Sequence, residues 1–348
     1  MKTKNTAKIL MLLWAMVILI TNSSLVIKSV RESLAVCFST VVPSLFPFMV
    51  LSSLFVTYTG NSTFKFMGII FKKIFGISSP GVGAFICGII AGYPIGAKSV
   101  CELYNGGKLT KSEAESLMAY CNNAGPLFVI GAVGTAMFNS FKVGIVLYTV
   151  HIICAFLSGI ILKPYTSIKL NKAKKNPTNT SLTLSICQSV PSVCNVCGFI
   201  IFFGVISALT ESVISAFPEG VKCIIHSSLE LTNAIKYITK SSLPTALKIS
   251  FAAAAVGWSG LSVHMQVKSF VSRTDLSLKK YYTAKAFSSI MSALIVYIGY
   301  TNMDNIALLI NTKSVLITIA VSFGTIILFR FLSKRKRKRR GKNPLLFE

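Results

Sequence analysis

Apolar runs of about 20 residues dominate the chain, with short polar or basic stretches between them. That length suits a helix crossing a bilayer. Residues 9–26 predict a first span behind the short basic start Lys2, Lys4 and Lys8. A cleaved signal peptide is the rival reading. No small-x-small site follows, so a retained span with a cytoplasmic N-terminus is favoured. Arg31 and Glu32 open a second run that reaches Tyr58, with Pro43 and Pro47 at its centre. Each proline removes a donor and clashes backward, which predicts a kinked span or a helix–break–helix. Residues 66–77 are short and carry paired lysines, which predicts an interfacial or re-entrant helix. Residues 143–162, 194–217, 277–298 and 315–332 predict clean spans. Residues 221–238 are moderately apolar, and 243–256 predict an alanine-rich helix.

The stretch from Pro80 to Val133 departs from this pattern. It is apolar enough for a membrane, yet Gly92-Tyr-Pro-Ile-Gly96 and Asn122-Asn-Ala-Gly-Pro126 interrupt it. In hydrocarbon, broken backbone is tolerated only where protein buries it or where it lines a wet cavity. Paired broken segments point to a transporter's binding site. Between the breaks, Thr110-x-x-Glu113 forms a capping-box pattern for a helix ending near Cys121.

Composition agrees with a membrane assignment. The 348 residues are 53% hydrophobic and 13% charged, against about 25% charged in soluble domains. Mean hydropathy is +0.67. The net charge of +26 raises nucleic acid as a partner. The basic residues crowd the ends and one central loop instead, as cytoplasmic segments do, so no nucleic-acid partner is expected. The expected organisation is a first membrane half, 1–162, a basic cytoplasmic linker, 163–183, a second membrane half, 184–332, and a basic cytoplasmic tail, 333–348. The nine cysteines lie mostly in apolar runs, where free thiols behave as small hydrophobes. Cys194 and Cys197 form a CxxC with no second pair at zinc spacing. No metal, cofactor or enzymatic triad is expected, and no P-loop is present.

An internal echo supports two halves. Gly92-Tyr-Pro-Ile-Gly-Ala-Lys98 precedes Gly257-Trp-Ser-Gly-Leu-Ser-Val263 by 165 residues. Both follow small-residue helices. If each glycine break is a re-entrant hairpin, three spans separate them, and an odd number inverts the second copy. The expected fold is an all-α polytopic membrane protein. It has about eight spanning helices plus re-entrant or broken ones, in two inverted repeats.

At Pro43–Phe48, Pro80–Lys98, Leu109–Glu115, Asn122–Phe128 and Glu230–Asn233 the chain resembles the sporulation integral membrane protein family of the YlbJ/SpoVV type. The resemblance covers most of the chain and is most specific in the first half. It implies Gate domains, the module of nucleoside-recognition proteins, laid out like concentrative nucleoside transporters. It also implies a place in the cell membrane or outer forespore membrane during sporulation. The substrate it implies is dipicolinic acid, moved from the mother cell toward the spore. An ion-coupled nucleoside transporter and a non-transport scaffold in spore assembly remain open, as does a homo-oligomer.

A small planar dianion needs donors, positive potential and a flat slot. Broken helices offer unpaired amides at the positive dipole end. Candidate substrate residues are Gly92, Tyr93, Gly96, Lys98, Asn122, Asn123, Gly125, Asn233, Gly257, Trp258, Ser259, Ser262 and Gln266. Lys98 is the candidate direct charge, and Tyr93 and Trp258 the candidate stacking rings. Close packing for the glycines, interfacial placement for the rings and snorkelling for Lys98 are the alternatives. An intramembrane carboxylate is a functional hypothesis, so Glu230 is the candidate for a coupling proton or sodium ion.

Overall fold

The computed structural model describes residues 2–59, 64–164 and 181–301. The expected span 315–332, the basic tail 333–348 and most of the 163–183 linker lie outside the described residues. Within them the chain is all helix and turn. Five helices there are long and apolar enough to cross a membrane, or six if one bent pair is a single span.

The elements follow the apolar pattern closely. Helix α1 (Lys2–Thr21) is followed by α2 (Ser23–Val36), a π-helical turn (Cys37–Val41) and α3 (Val42–Tyr58). The last three form one 36-residue span. Pro43 sits in the first turn of α3, where its missing donor costs nothing, and Pro47 lies inside the helix. The irregular backbone thus falls just before the first proline. Helix α4 (Lys65–Phe75) meets α5 (Ser79–Ile90) at an 85° bend. Helix α6 (Ile95–Asn105) leads to α7 (Lys111–Cys121), whose expected capping box is present. There Thr110 Oγ1 accepts from Glu113 N, and Glu113 Oε2 accepts from Thr110 N. An 11-residue π-helix (Leu127–Met137) and α8 (Phe141–Ile161) complete the first half.

The second half opens with α9 (Leu182–Ile214), a 33-residue helix that begins 12 residues before the expected span and holds Pro191 inside it. Helices α10 (Glu219–Leu229) and α11 (Leu231–Lys240) divide what the sequence presents as one apolar run. Helices α12 (Thr245–Trp258) and α13 (Gly260–Val271) together make one 27-residue span. Helix α14 (Lys279–Thr301) is the last described.

Two pairs fold back as hairpins. In α5–α6, Gly88 and Gly96 face each other; a Cβ on Gly96 would lie 3.1 Å from Gly88 Cα. In α10–α11, the rings of His226 and Tyr237 lie 4.6 Å apart. The α12–α13 break is different in kind. It interrupts a single span, which corrects the expectation that Gly257–Ser262 turns back as a hairpin.

Two cores hold the fold, and each draws on both halves. One gathers α5, α6 and α7 around Val263, Val267 and Tyr281. The other gathers the π-helix and α8 around Ile235, Ile249 and Val256. Outward-facing Phe38, Leu51, Ile69, Phe202, Val213 and Ile290 are exposed, as a lipid-facing surface requires.

A polar contact ties the halves at one end. Asp275 accepts from Lys111 Nζ at 2.8 Å and from the Tyr104 hydroxyl at 2.6 Å. Lys111, then Tyr104, hold the Asp275 carboxyl below its ordinary value. A depressed carboxylate contributes above its unfolded pKa, and that contribution is lost as pH falls through the folded value. The tie therefore holds at neutral pH and opens only in strong acid. Because it is exposed, its effect on global stability is expected to be small. Asp275→Asn is expected to speed amide exchange in residues 272–278 at neutral pH. Unchanged exchange would refute the tie.

Candidate functional site

Four helix breaks meet in the middle of the fold. The first is the tip of the α5–α6 hairpin, Ala91–Pro94, which contains a cis Tyr93–Pro94 bond. The second is the 122–126 stretch between α7 and the π-helix. The third is Glu230, the tip of the α10–α11 hairpin. The fourth is Ser259, between α12 and α13.

Each hairpin tip rests on another helix break. Gly92 has φ +82°, and a Cβ there would lie 2.6 Å from Gly125 N. Gly260 has φ +80°, and its Cβ would lie 3.1 Å from the Leu229 carbonyl and 3.3 Å from Glu230 Cα. Only a residue without a side chain takes that conformation freely at such close approach. Gly92 with Gly125 in one half therefore parallels Glu230 with Gly260 in the other.

The breaks surround a cavity of about 290 Å³. Gly92, Tyr93, Gly125, Glu230, Ser262 and Gln266 line it, six of the expected site residues. Phe48 and Phe128 supply aromatic walls; Thr40, Ser44, Thr232 and Lys236 supply polar groups. The size lies at the lower edge of small-molecule pockets, and the mostly apolar lining with a few polar groups is typical of them.

Glu230 is held by its own helix. Its Oε1 accepts from Thr232 N at 3.0 Å and its Oε2 from Asn233 N at 2.8 Å. It is thus the N-cap of α11, a role the Glu-Leu-Thr-Asn run encodes but hydropathy hides. The positive end of the helix dipole lies beside the carboxylate. Tyr93 is half-buried as a residue, but its hydroxyl is buried and has no hydrogen-bond partner among the described residues.

The other expected residues do different work. Lys98 does not line the cavity; it is buried on α6 with its Nζ 3.7 Å from Glu102 Oε1. The cation at the cavity is Lys236, which sequence reasoning passed over because its run looks like an ordinary amphipathic helix. Gly96 and Gly257 are close-approach positions. A Cβ on Gly96 would lie 2.2 Å from the Cys121 carbonyl, and one on Gly257 would lie 2.8 Å from Ser288. Asn123 caps the end of α7 by donating to the Tyr120 carbonyl at 2.8 Å. Asn122 is fully buried, and neither side-chain polar atom makes a hydrogen bond of full geometry among the described residues. Trp258 packs edge-on against His264 at 4.5 Å, and Ser259 is buried at the break. Asn233 lines a second, open cavity of about 760 Å³ on the far side of α11; Lys236 borders both cavities.

That second cavity holds a hydrogen-bonded chain. Ser207 Oγ lies 2.9 Å from His226 Nδ1, and His226 Nε2 lies 2.6 Å from Glu211 Oε2. The chain joins residues 15 and 19 positions apart, a spacing that no local pattern marks. It links α9 to the α10–α11 hairpin. The nine cysteines are free, and no cluster of metal-ligating side chains occurs among the described residues.

The architecture is that of an integral, multi-pass, all-helical membrane protein with a small internal cavity where its helices break. Comparison with known proteins narrows this. The chain is 27% identical over 312 residues to the sporulation integral membrane protein YlbJ of Bacillus subtilis (strain 168), a match covering 76% of this chain and 75% of that protein. The chain is thus similar, over three quarters of its length, to a sporulation integral membrane protein. No family model and no solved structure matches it.

Proposed function

We propose that the protein is a carrier for a small planar organic anion, dipicolinate by the family resemblance, at the outer forespore membrane. One observation carries the reading: four broken helices, two from each half, converge on one cavity. Broken helices around a buried site are a feature of secondary transporters. If α7 and the π-helix count as one broken crossing, three crossings, with α8 and α9, separate the hairpins. That odd number would invert the second half relative to the first, as an inverted repeat requires. The 36-residue α2–α3 span and α9 occupy matching places before the hairpins.

The lining suits such a ligand. Phe48, Phe128 and Tyr93 offer flat apolar walls, and Thr40, Ser44, Thr232, Ser262, Gln266 and Lys236 offer donors. Glu230 is the proposed coupling site. A proton on its carboxylate would cancel the like charge that an arriving anion meets.

The test is uptake of labelled dipicolinate into proteoliposomes, with nucleosides as competitors. Concentrative uptake is expected, with nucleosides ineffective. Nucleoside uptake that dipicolinate does not affect would move the assignment to a nucleoside carrier. Binding of neither would leave the scaffold reading. Lys236→Ala is expected to weaken dipicolinate binding at least tenfold, since a hydrogen bond to a charged group contributes about 1.5–3 kcal/mol. Unchanged affinity would remove Lys236 from the site.

A further inference from the structure

Lys285 is the residue that neither the cavity nor the lipid-facing surface accounts for. It lies about two turns into α14 and is 2% exposed. Its Nζ donates to the backbone carbonyl of Asn122. No ion pair involves it among the described residues. Its charged or titratable surroundings are Cys121 on α7, His151 on α8, His264 on α13 and Tyr281 on its own helix. None is a carboxylate. A lysine fully buried without an acidic partner is costly, and in a membrane protein such a group marks function by default.

Its position gives the charge a role. Asn122 is the residue at which α7 ends, so its carbonyl is one of the unpaired acceptors at a helix C-terminus. That end carries the negative pole of the helix dipole. The Asn122 side chain is buried at the same residue, with no hydrogen bond of full geometry among the described residues. In carriers built from broken helices, C-terminal ends of half-helices and unwound carbonyls are where a coupling sodium ion binds. Here an ammonium group, covalently attached to α14, reaches that end.

We propose that Lys285 is the resident monovalent cation of the site. Its ammonium occupies, at the end of α7, the place that a free sodium ion takes in sodium-coupled carriers. This inference rests on the carrier reading and deepens it. The protein does not need sodium, and the coupling ion at Glu230 is a proton. Lys285 also ties α14 to the break that supports Gly125 and, through it, Gly92 at the cavity wall.

The proposal predicts a conversion. Removing the side chain opens a vacancy at the carbonyl end, and a small cation can fill it. The experiment compares thermal unfolding of the full-length protein in detergent, in sodium chloride and in choline chloride at equal ionic strength. Wild type is expected to unfold at the same temperature in both salts. Lys285→Ala is expected to lose stability in choline and regain roughly 3 °C or more in sodium, saturably, as binding to the native state requires. Lys285→Met fills the space without charge and is expected to stay destabilised in both salts. Lys285→Ser adds a hydroxyl ligand and serves where the alanine variant is too unstable in choline to measure; it is expected to regain stability in sodium likewise.

Alanine and serine variants that respond equally to sodium and choline would overturn the proposal. So would an alanine variant as stable as wild type in both salts, or a wild type that sodium itself stabilises. The measurement needs no transport substrate. A protein that carries no dipicolinate would therefore refute the carrier reading, and the sodium result would still stand on its own.

Discussion

Glu230→Gln is expected to abolish the pH dependence of anion accumulation while leaving the fold intact. Glutamine keeps one acceptor oxygen for the α11 amides, where Glu230 now serves both Thr232 N and Asn233 N. The loss of stability should stay near 1 kcal/mol, the usual scale of a weakened N-cap. The glutamine side chain also mimics a protonated carboxyl that cannot release its proton. The variant should bind dipicolinate over a wider pH range than wild type, yet lose proton-driven accumulation by more than tenfold. Glu230→Ala separates structure from coupling. It leaves two half-buried amides without their cap, and should lower the unfolding temperature more than the glutamine variant does. Uptake into vesicles with and without a pH gradient, beside thermal unfolding, distinguishes the cases. Gradient-driven accumulation that survives in Glu230→Gln would remove Glu230 from coupling.

Gly92→Ala is expected to cost both stability and ligand binding. The residue has φ +82°, a conformation that costs an L-residue about 1–2 kcal/mol. The added Cβ would also fall 2.6 Å from Gly125 N. Gly125 N is backbone and the position of a Cβ is fixed by its own backbone, so neither can swing aside. The hairpin tip must lift from the broken span, and the cavity wall at Tyr93 moves with it. The change should lower the unfolding temperature by several degrees and reduce dipicolinate binding more than tenfold. Gly198→Ala on α9 is the matched control, because an added Cβ meets nothing within 4 Å there. Equal behaviour of the two variants would show that the tip contact does not shape the site.

The corrections share one cause. Lys98 reads as a substrate charge because it follows a break by one turn, but the turn of α6 carries it away from the cavity to Glu102. Lys236 reads as an ordinary helix lysine, and the packing of α11 brings it to the cavity wall. Gly257 and Gly96 read as ligand-facing glycines. They prove to be places where helices meet, against Ser288 and the Cys121 carbonyl. Spacing along a chain tells which residues share a helix face. It does not tell which face meets which partner.

The sequence by itself determined the apolar spans, the capping box at Thr110 and the two breaks between Pro80 and Val133. These are local matters of hydropathy, proline and glycine, and neighbours in sequence decide them. Hydropathy did not disclose the α10–α11 hairpin, because Glu230 interrupts its apolar run for a single residue. That residue turns the chain by capping the helix that follows it. Only the tertiary structure decided that the Gly92 tip rests on Gly125, that the α12–α13 break lies within one span, and that Lys285 reaches the end of α7. Each depends on a contact between segments 30 or more residues apart, or on whether a break turns the chain back, and no local pattern encodes either.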